Sequence, residues 1–272
     1  MANLELLADE FRKEGYSDQN AEARVCQDIV LKAIAESDLS RNVTIKGGVV
    51  MRSITGNIRR ATQDMDLDFI RYSLNEDAIR QFIDKLNCLE GISIKITGKI
   101  EELSQQEYRG KRVYVVLEDD TGHSFKSKID LGVHKNIQVA QDEYCFDVCL
   151  DDEGASLLIN SKEQIFAEKL RSLLRFGPLS TRYKDIFDLC YLTEYVDRER
   201  LQNCLKHIFW MMRRCVKMIW MRYEDEFQEP SATGHIVQMS KVQKRLIGCE
   251  LKRLWLLTGL NHFSKPYNLH EF

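Results

Sequence analysis

The stretch Asp64-Met65-Asp66-Leu67-Asp68-Phe69 alternates three carboxylates with three large apolar side chains. A period of two is the mark of a half-buried strand, with Asp64, Asp66 and Asp68 on one face and Met65, Leu67 and Phe69 on the other. Carboxylates at i and i+2 lie about 7 Å apart. At an effective dielectric of about 20 each adjacent pair repels by roughly 2 kcal/mol. A row of this kind is tolerable around a divalent cation, since Mg²⁺ takes oxygen ligands and shares them with substrate phosphates. The other reading is a solvated edge strand with an acidic outer face.

Upstream, "NVTIKGGVVMRSIT" (residues 42–55) reads as a short strand that ends in Gly47-Gly48 and leads into a helical start. Glycines let backbone N–H groups approach an anion, and a helix N-terminus favours negative charge. "GNIRRATQ" (56–63) is a loop. A phosphate cradle followed closely by an acidic strand suits a nucleoside triphosphate with its metal. Gly47 and Gly48 are therefore candidate nucleotide-binding residues, and Asp64 and Asp66 candidate metal ligands.

Downstream, "NEDAIRQFIDKLNCLEG" (75–91) reads as a helix with Asn75 as N-cap and Gly91 as its stop. "ISIKIT" (92–97), "RVYVVLED" (112–119), "SFKSKIDLGV" (124–133) and "DEYCFDVCL" (142–150) read as strands. No helix separates them, so antiparallel pairing is expected. In the third, Phe125, Ile129, Leu131 and Val133 share one face, and Asp130 lies opposite with Lys126 and Lys128. Asp130 is thus either a solvated polar residue or a third metal-binding carboxylate. Residues 3–14 and 19–36 read as helices ahead of all this, and the succession of helices and strands describes a mixed α+β lobe.

Beyond about residue 155 the pattern becomes helical. "SKEQIFAEKLRSLLRF" (161–176) opens with a capping-box pair, Ser161 and Gln164. "RYKDIFDLCYLTEYV" (182–196) and the apolar-basic stretches to about residue 260 continue it. The expected organisation is a lobe over 1–155 and an all-α lobe over 156–272. On the helical wheel Lys169 falls in the middle of an apolar arc of Ile165, Phe166, Leu170, Leu173, Leu174 and Phe176. It either snorkels to the surface or presents a cation to triphosphate oxygens between the lobes. Asp185 and Asp188, three apart on an otherwise apolar helix, share a face. They are either structural ion-pair partners of Arg182, Lys184 or Lys169, or acids that orient Lys169 or take a proton from an acceptor hydroxyl.

Composition sets bounds on all of this. Hydrophobic residues make up 44% and charged residues 30% of 272 positions, as in ordinary globular proteins. The N-terminus lacks the apolar core of a signal peptide. The most apolar run, "HIFWMMRRCVKMIWM", is broken by Arg213, Arg214 and Lys217, so no membrane span is expected and the cytoplasm is the expected compartment. Eight cysteines include no CxxC pair and read as buried reduced thiols. Residues 200–272 carry 12 basic against 6 acidic side chains, and the first 199 carry 27 against 36. A basic tail behind an acidic lobe suits an anionic partner. In a helix over 206–222, Lys206, Arg213 and Lys217 would cluster beside Trp210 as a phosphate-pairing and stacking surface for RNA.

Together, "IKGGVVMRSITG" and "RRATQDMDLDF" resemble the first motif of the DNA polymerase β-like nucleotidyltransferases. "IFAEKLRSLLRF" followed by "RYKDIFDL" resembles the AbiEii/AbiGii toxin family of bacterial toxin–antitoxin and abortive-infection systems, over about Val43 to Leu192. The resemblance implies that Gly47 and Gly48 hold a triphosphate, that Asp64 and Asp66 bind Mg²⁺, and that Asp68 is an accessory acid. It matches Lys169, Asp185 and Asp188 to the family's later motifs, and Asp130 loosely to a later-strand acid. Val49 departs from it, where many members carry a hydroxyl. The implied activity is nucleotide transfer from an NTP to an RNA, foremost the 3′ end of tRNA, in a chain with a cognate antitoxin. A protein hydroxyl as acceptor and a non-catalytic nucleotide- or RNA-binding module are the alternatives.

Overall fold

The structure is a computed structural model that describes residues 3–103, 110–134, 139–176 and 182–210. The chain divides into two units, residues 1–161 and 162–272. In the first, α1 (Leu4–Glu14) is capped by the Asn3 side chain, which accepts from the Leu6 N–H at 3.0 Å. Gly15 closes it in the left-handed region. Helix α2 (Asp18–Glu36) is buried without interruption from Val25 to Ile34. That stretch contains Gln27, Asp28 and Lys32, and buried polar groups on this scale need partners.

A seven-stranded mixed sheet has the order β3-β4-β5-β2-β1-β7-β6. Its strands are β1 (Val43–Lys46), β2 (Met65–Phe69), β3 (Ile92–Leu103), β4 (Gly110–Asp119), β5 (Ser124–Val133), β6 (Asp142–Phe146) and β7 (Ala155–Ile159). Helix α3 (Gly47–Thr55) leaves β1 directly, a 3-10 turn spans Ile58–Arg60, and α4 (Glu76–Lys85) follows β2. The alternation read in residues 64–69 is realised: Met65, Leu67 and Phe69 are fully buried.

The expected antiparallel run holds for β3–β4 and β4–β5. It fails beyond them. Strand β5 continues the sheet by pairing parallel with β2, and β6 pairs with β7, which the sequence reading did not anticipate. Strand β7 in turn lies parallel to β1. Parallel partners are joined by long crossovers, so no local signal announces them. Helix α4 also stops short of the expected Gly91. The Asn87 amide accepts from the Ile94 N–H at 2.7 Å and donates to its carbonyl at 3.0 Å, so it pairs with β3 rather than extending the helix.

The described part of the second unit is helical: α5 (Lys162–Phe176), α6 (Tyr183–Leu192) and α7 (Arg198–Trp210). Buried Glu163 accepts from the Asp197 N–H at 2.8 Å and faces Arg200, which ties the start of α5 to α7. Ile165, Phe166 and Leu170 form the buried side of α5. The proposed basic surface with Arg213 and Lys217 lies outside the described residues. No helix among the described residues is long and apolar enough to cross a membrane.

Candidate active site

The polar face of the sheet carries the acids in rows set by strand register. Asp66 is paired in register with Lys46 of β1 on one side and with Asp130 of β5 on the other. Asp130 is in turn paired with Arg112 of β4. Register partners share a face, so Lys46, Asp66, Asp130 and Arg112 form one row across four strands, with the two acids about 5 Å apart at their backbones. Among the candidate acids of the sheet, strand register brings Asp66 and Asp130 together.

The neighbouring acids have partners of their own. Asp64 sits just ahead of β2 and meets Lys128 at 2.7 Å. Asp68 is nearly buried and meets Lys46 at 2.6 Å. Asp130 receives both Nε and Nη2 of Arg112, at 2.7 and 2.8 Å. These bonds hold the guanidinium further above its ordinary range, the contact with Asp130 outweighing burial. Asp66 lacks an ion-pair partner among the described residues. Burial pushes its carboxyl up to about 6, opposed by Lys46 and reinforced by Asp130, Asp64 and Asp68.

Two glycines make room for these side chains. Gly47 begins α3 at φ +68, and a Cβ there would come within 2.3 Å of Asp66 Oδ2. The glycine therefore serves both a left-handed backbone and a close carboxylate. On β5, a Cβ at Gly132 would meet Asp68 Oδ1 at 2.1 Å and Lys46 Nζ at 3.3 Å. Gly48 packs on Thr62, whose hydroxyl would lie 2.7 Å from an added Cβ. The N-cap residue of α3, Lys46, makes no side-chain capping bond, and the start of the helix lies against the Asp66 carboxylate.

A buried network braces this turn from behind. Gln27 of α2 donates to the Thr62 carbonyl at 2.9 Å and accepts from Arg52 of α3 at 2.6 Å. Asp28 accepts from Arg24 at 2.9 Å, from Arg52 at 3.4 Å and from the Cys149 N–H at 3.2 Å. Burial nonetheless raises its carboxyl, with Arg24 and Arg52 opposing. Sequence reading missed Lys46, Arg112, Gln27 and Arg52. The signal for the last two was a polar residue among apolar neighbours, Gln27 in α2 and Arg52 in α3. For Arg112 there was none, because its role depends on register.

In the second unit Lys169 does not snorkel. Its Nζ lies 2.9 Å from Asp185 Oδ1 and 2.7 Å from Asp188 Oδ2. Asp188 is fully buried, and Arg182 also reaches Asp185 at 3.3 Å. Lys169, Asp185 and Asp188 thus form one ion-pair cluster, joining α5 to α6.

Whether carboxylates so placed suit a metal follows from their chemistry. No three or more His, Cys, Asp or Glu side chains among the described residues converge as a metal cage. Mg²⁺ does not require one: it is held through one or two carboxylates with waters and substrate phosphates. Asp66, with Asp64 two residues before it and the start of α3 against it, offers hard oxygen donors that fit that pattern, and Asp130 stands beside it in register.

A family profile described as "Nucleotidyl transferase AbiEii toxin, Type IV TA system" matches residues 29–233. No curated protein matches the chain. Solved structures with a similar backbone include an antigenic nucleotidyltransferase-like protein from Paracoccidioides brasiliensis. It is 16% identical over 76% of this chain and 94% of that one, with a TM-score of 0.42. The solution structure of the antibiotic-resistance factor ANT(2'')-Ia is 16% identical over 76% of this chain and 99% of that one, with a TM-score of 0.43. The crystal structure of ANT(2'')-Ia in complex with adenylyl-2''-tobramycin matches at 16% identity over 70% and 98%, with a TM-score of 0.43.

Proposed function

The chain belongs to the AbiEii family of nucleotidyl transferase toxins, and from that premise we propose that it moves a nucleotide from an NTP to the 3′ end of an RNA, foremost tRNA. It is a nucleotidyltransferase, and membership in a type IV toxin–antitoxin family implies an antitoxin partner. The observation that carries the reading is the placement of Asp66 beside Asp130, against Gly47 at the start of α3. Acidic oxygens for a metal and backbone N–H groups for phosphate then meet at one point.

In this reading residues 1–155 are a polymerase β-like catalytic lobe and residues 156–272 an all-α lobe. Asp64 and Asp66 would hold Mg²⁺, with Asp130 as a third carboxylate, and the ion would supply charge neutralisation of the triphosphate and a lowered pKa for the acceptor hydroxyl. The N–H groups from Gly47 and Gly48 cradle the phosphates, and the positive end of α3 favours their charge. Lys169 steadies the triphosphate, and Asp185 and Asp188 orient its ammonium group. The acceptor oxygen attacks the α-phosphorus, the bond from that phosphorus to the α,β-bridging oxygen breaks, and pyrophosphate leaves. The basic C-terminal residues contribute phosphate contacts to the RNA.

Induced expression of wild type and Asp66→Ala in bacteria, followed by sequencing of tRNA 3′ ends, tests this. Added 3′ nucleotides with wild type and none with the variant are expected. Growth arrest by wild type with unmodified tRNA ends removes the tRNA acceptor. Incubation of labelled NTP with tRNA and with protein then shows which accepts the label.

A further inference from the structure

Three of the acids on the polar sheet face carry a cation of the chain's own, and the three pairs differ. Lys128 with Asp64 is open to solvent, with 37% and 54% of the side chains exposed, and such pairs are weak. Lys46 with Asp68 is tucked against Gly132, two residues along β2 from Asp66. Arg112 with Asp130 is the strong one. It is bidentate, both carboxylate oxygens are engaged, and Asp130 is only 12% exposed. It also lies in the same register row as Asp66, the one acid of the group without an ion pair among the described residues. The row thus reads plus, minus, minus, plus from Arg112 through Asp130 and Asp66 to Lys46. Two aspartates about 5 Å apart in adjacent strands repel, and the guanidinium on Asp130 offsets that repulsion.

We propose that Arg112 is the resident counter-cation of the metal site, occupying Asp130 until a divalent ion displaces it. The inference rests on the metal reading given above. Arg112 and the ion neutralise the same carboxylate, so each weakens the other's hold. Arg112 thereby sets the metal affinity of the free protein. The displaced guanidinium stays on the same sheet face, where its planar fork is a ligand for phosphate. Metal and phosphate-bearing substrate are then coupled: an ion that frees Arg112 also creates a place for a phosphate, and bound phosphate keeps Arg112 from returning to Asp130. A purely structural Arg112–Asp130 pair has the opposite consequence. Its loss would leave Asp130 misplaced, and metal binding would weaken.

The test is titration of the full chain with Mn²⁺ alone, with free Mn²⁺ read by electron paramagnetic resonance at neutral pH, and again with a non-hydrolysable NTP present. Arg112→Met binds Mn²⁺ about tenfold more tightly than wild type when NTP is absent, the equivalent of about 1.4 kcal/mol. With the NTP analogue the advantage shrinks, because the variant lacks the freed guanidinium. Arg112→Lys falls between, since an ammonium offers Asp130 no fork. It also carries the test should the methionine variant fail to fold. Wild-type affinity or weaker in a folded Arg112 variant overturns the proposal. Wild-type protein that binds Mn²⁺ while the variants show no gain sinks this inference alone. No Mn²⁺ binding by wild type or any variant, with or without the NTP analogue, sinks the metal reading and this inference with it.

Discussion

Replacing Lys169 by methionine removes a cation and keeps most of the side chain's volume. Lys169 makes two charge-assisted contacts, at 2.9 Å to Asp185 and 2.7 Å to Asp188. Lys169 and Asp185 keep 12% and 14% of their side-chain exposure and Asp188 keeps none, so solvent does not replace what is lost. A hydrogen bond to a charged group contributes about 1.5–3 kcal/mol. Breaking a buried pair by removing one partner costs about 3–5 kcal/mol, because the other charge stays buried. Arg182 keeps a hold on Asp185, which places Lys169→Met at about 3–4 kcal/mol, within reach of the whole stability of an ordinary domain. Adding Asp188→Asn leaves one ionised carboxylate fewer and returns about half of that loss. Urea unfolding followed by circular dichroism measures both variants. A Lys169→Met midpoint equal to wild type would falsify the buried-cluster argument. The pair of variants also separates two roles that a single substitution confounds. If Lys169 acted only through stability, the double variant would regain activity along with its fold. Contact with the triphosphate predicts instead that nucleotide transfer stays undetectable in both.

Further outcomes follow from the first unit. Asp66→Ala lowers nucleotide transfer by about three orders of magnitude, the scale of several kcal/mol of lost charge stabilisation; retained transfer in a steady-state assay would show that the metal is held elsewhere. Gly47→Ala loses about 1–2 kcal/mol by forcing a Cβ into the left-handed region and displaces Asp66, so thermal stability and NTP affinity should fall together. Acid unfolding should expose Asp119, which accepts from the Leu4 and His123 N–H groups and from both the N–H and hydroxyl of Thr121. Burial raises this carboxyl, but the Thr121 hydroxyl and the three N–H groups more than reverse that and hold it well below the usual range. A depressed folded value stabilises above the unfolded pKa of about 3.9 and is lost as pH falls toward the folded one. The stability gap between wild type and Asp119→Asn is therefore constant from about pH 5 upward and closes below about pH 4; a gap independent of pH would refute it.

Local pattern determined a good deal of this protein. Alternation over residues 64–69 was enough to assign β2 and to say which side chains are buried, because the period of two follows from strand geometry alone. The turn at Gly47-Gly48, the helices around it and the Asn75 cap were legible for the same reason: each is written within one turn or one strand. The motifs from Gly47 to Asp188 also carried the family, since their residue types and order can be read along the chain without the fold. Tertiary structure alone decided what each acid faces. That Asp130 stands beside Asp66, that Arg112 rather than solvent meets Asp130, and that β7 inserts between β1 and β6 all depend on pairings between distant segments. Parallel register leaves no trace in neighbouring residues, because the free energy that selects it comes from burying whole faces at once. Nor does helical spacing reveal that Lys169 is spanned by Asp185 and Asp188, for that pair belongs to the packing of one helix against another.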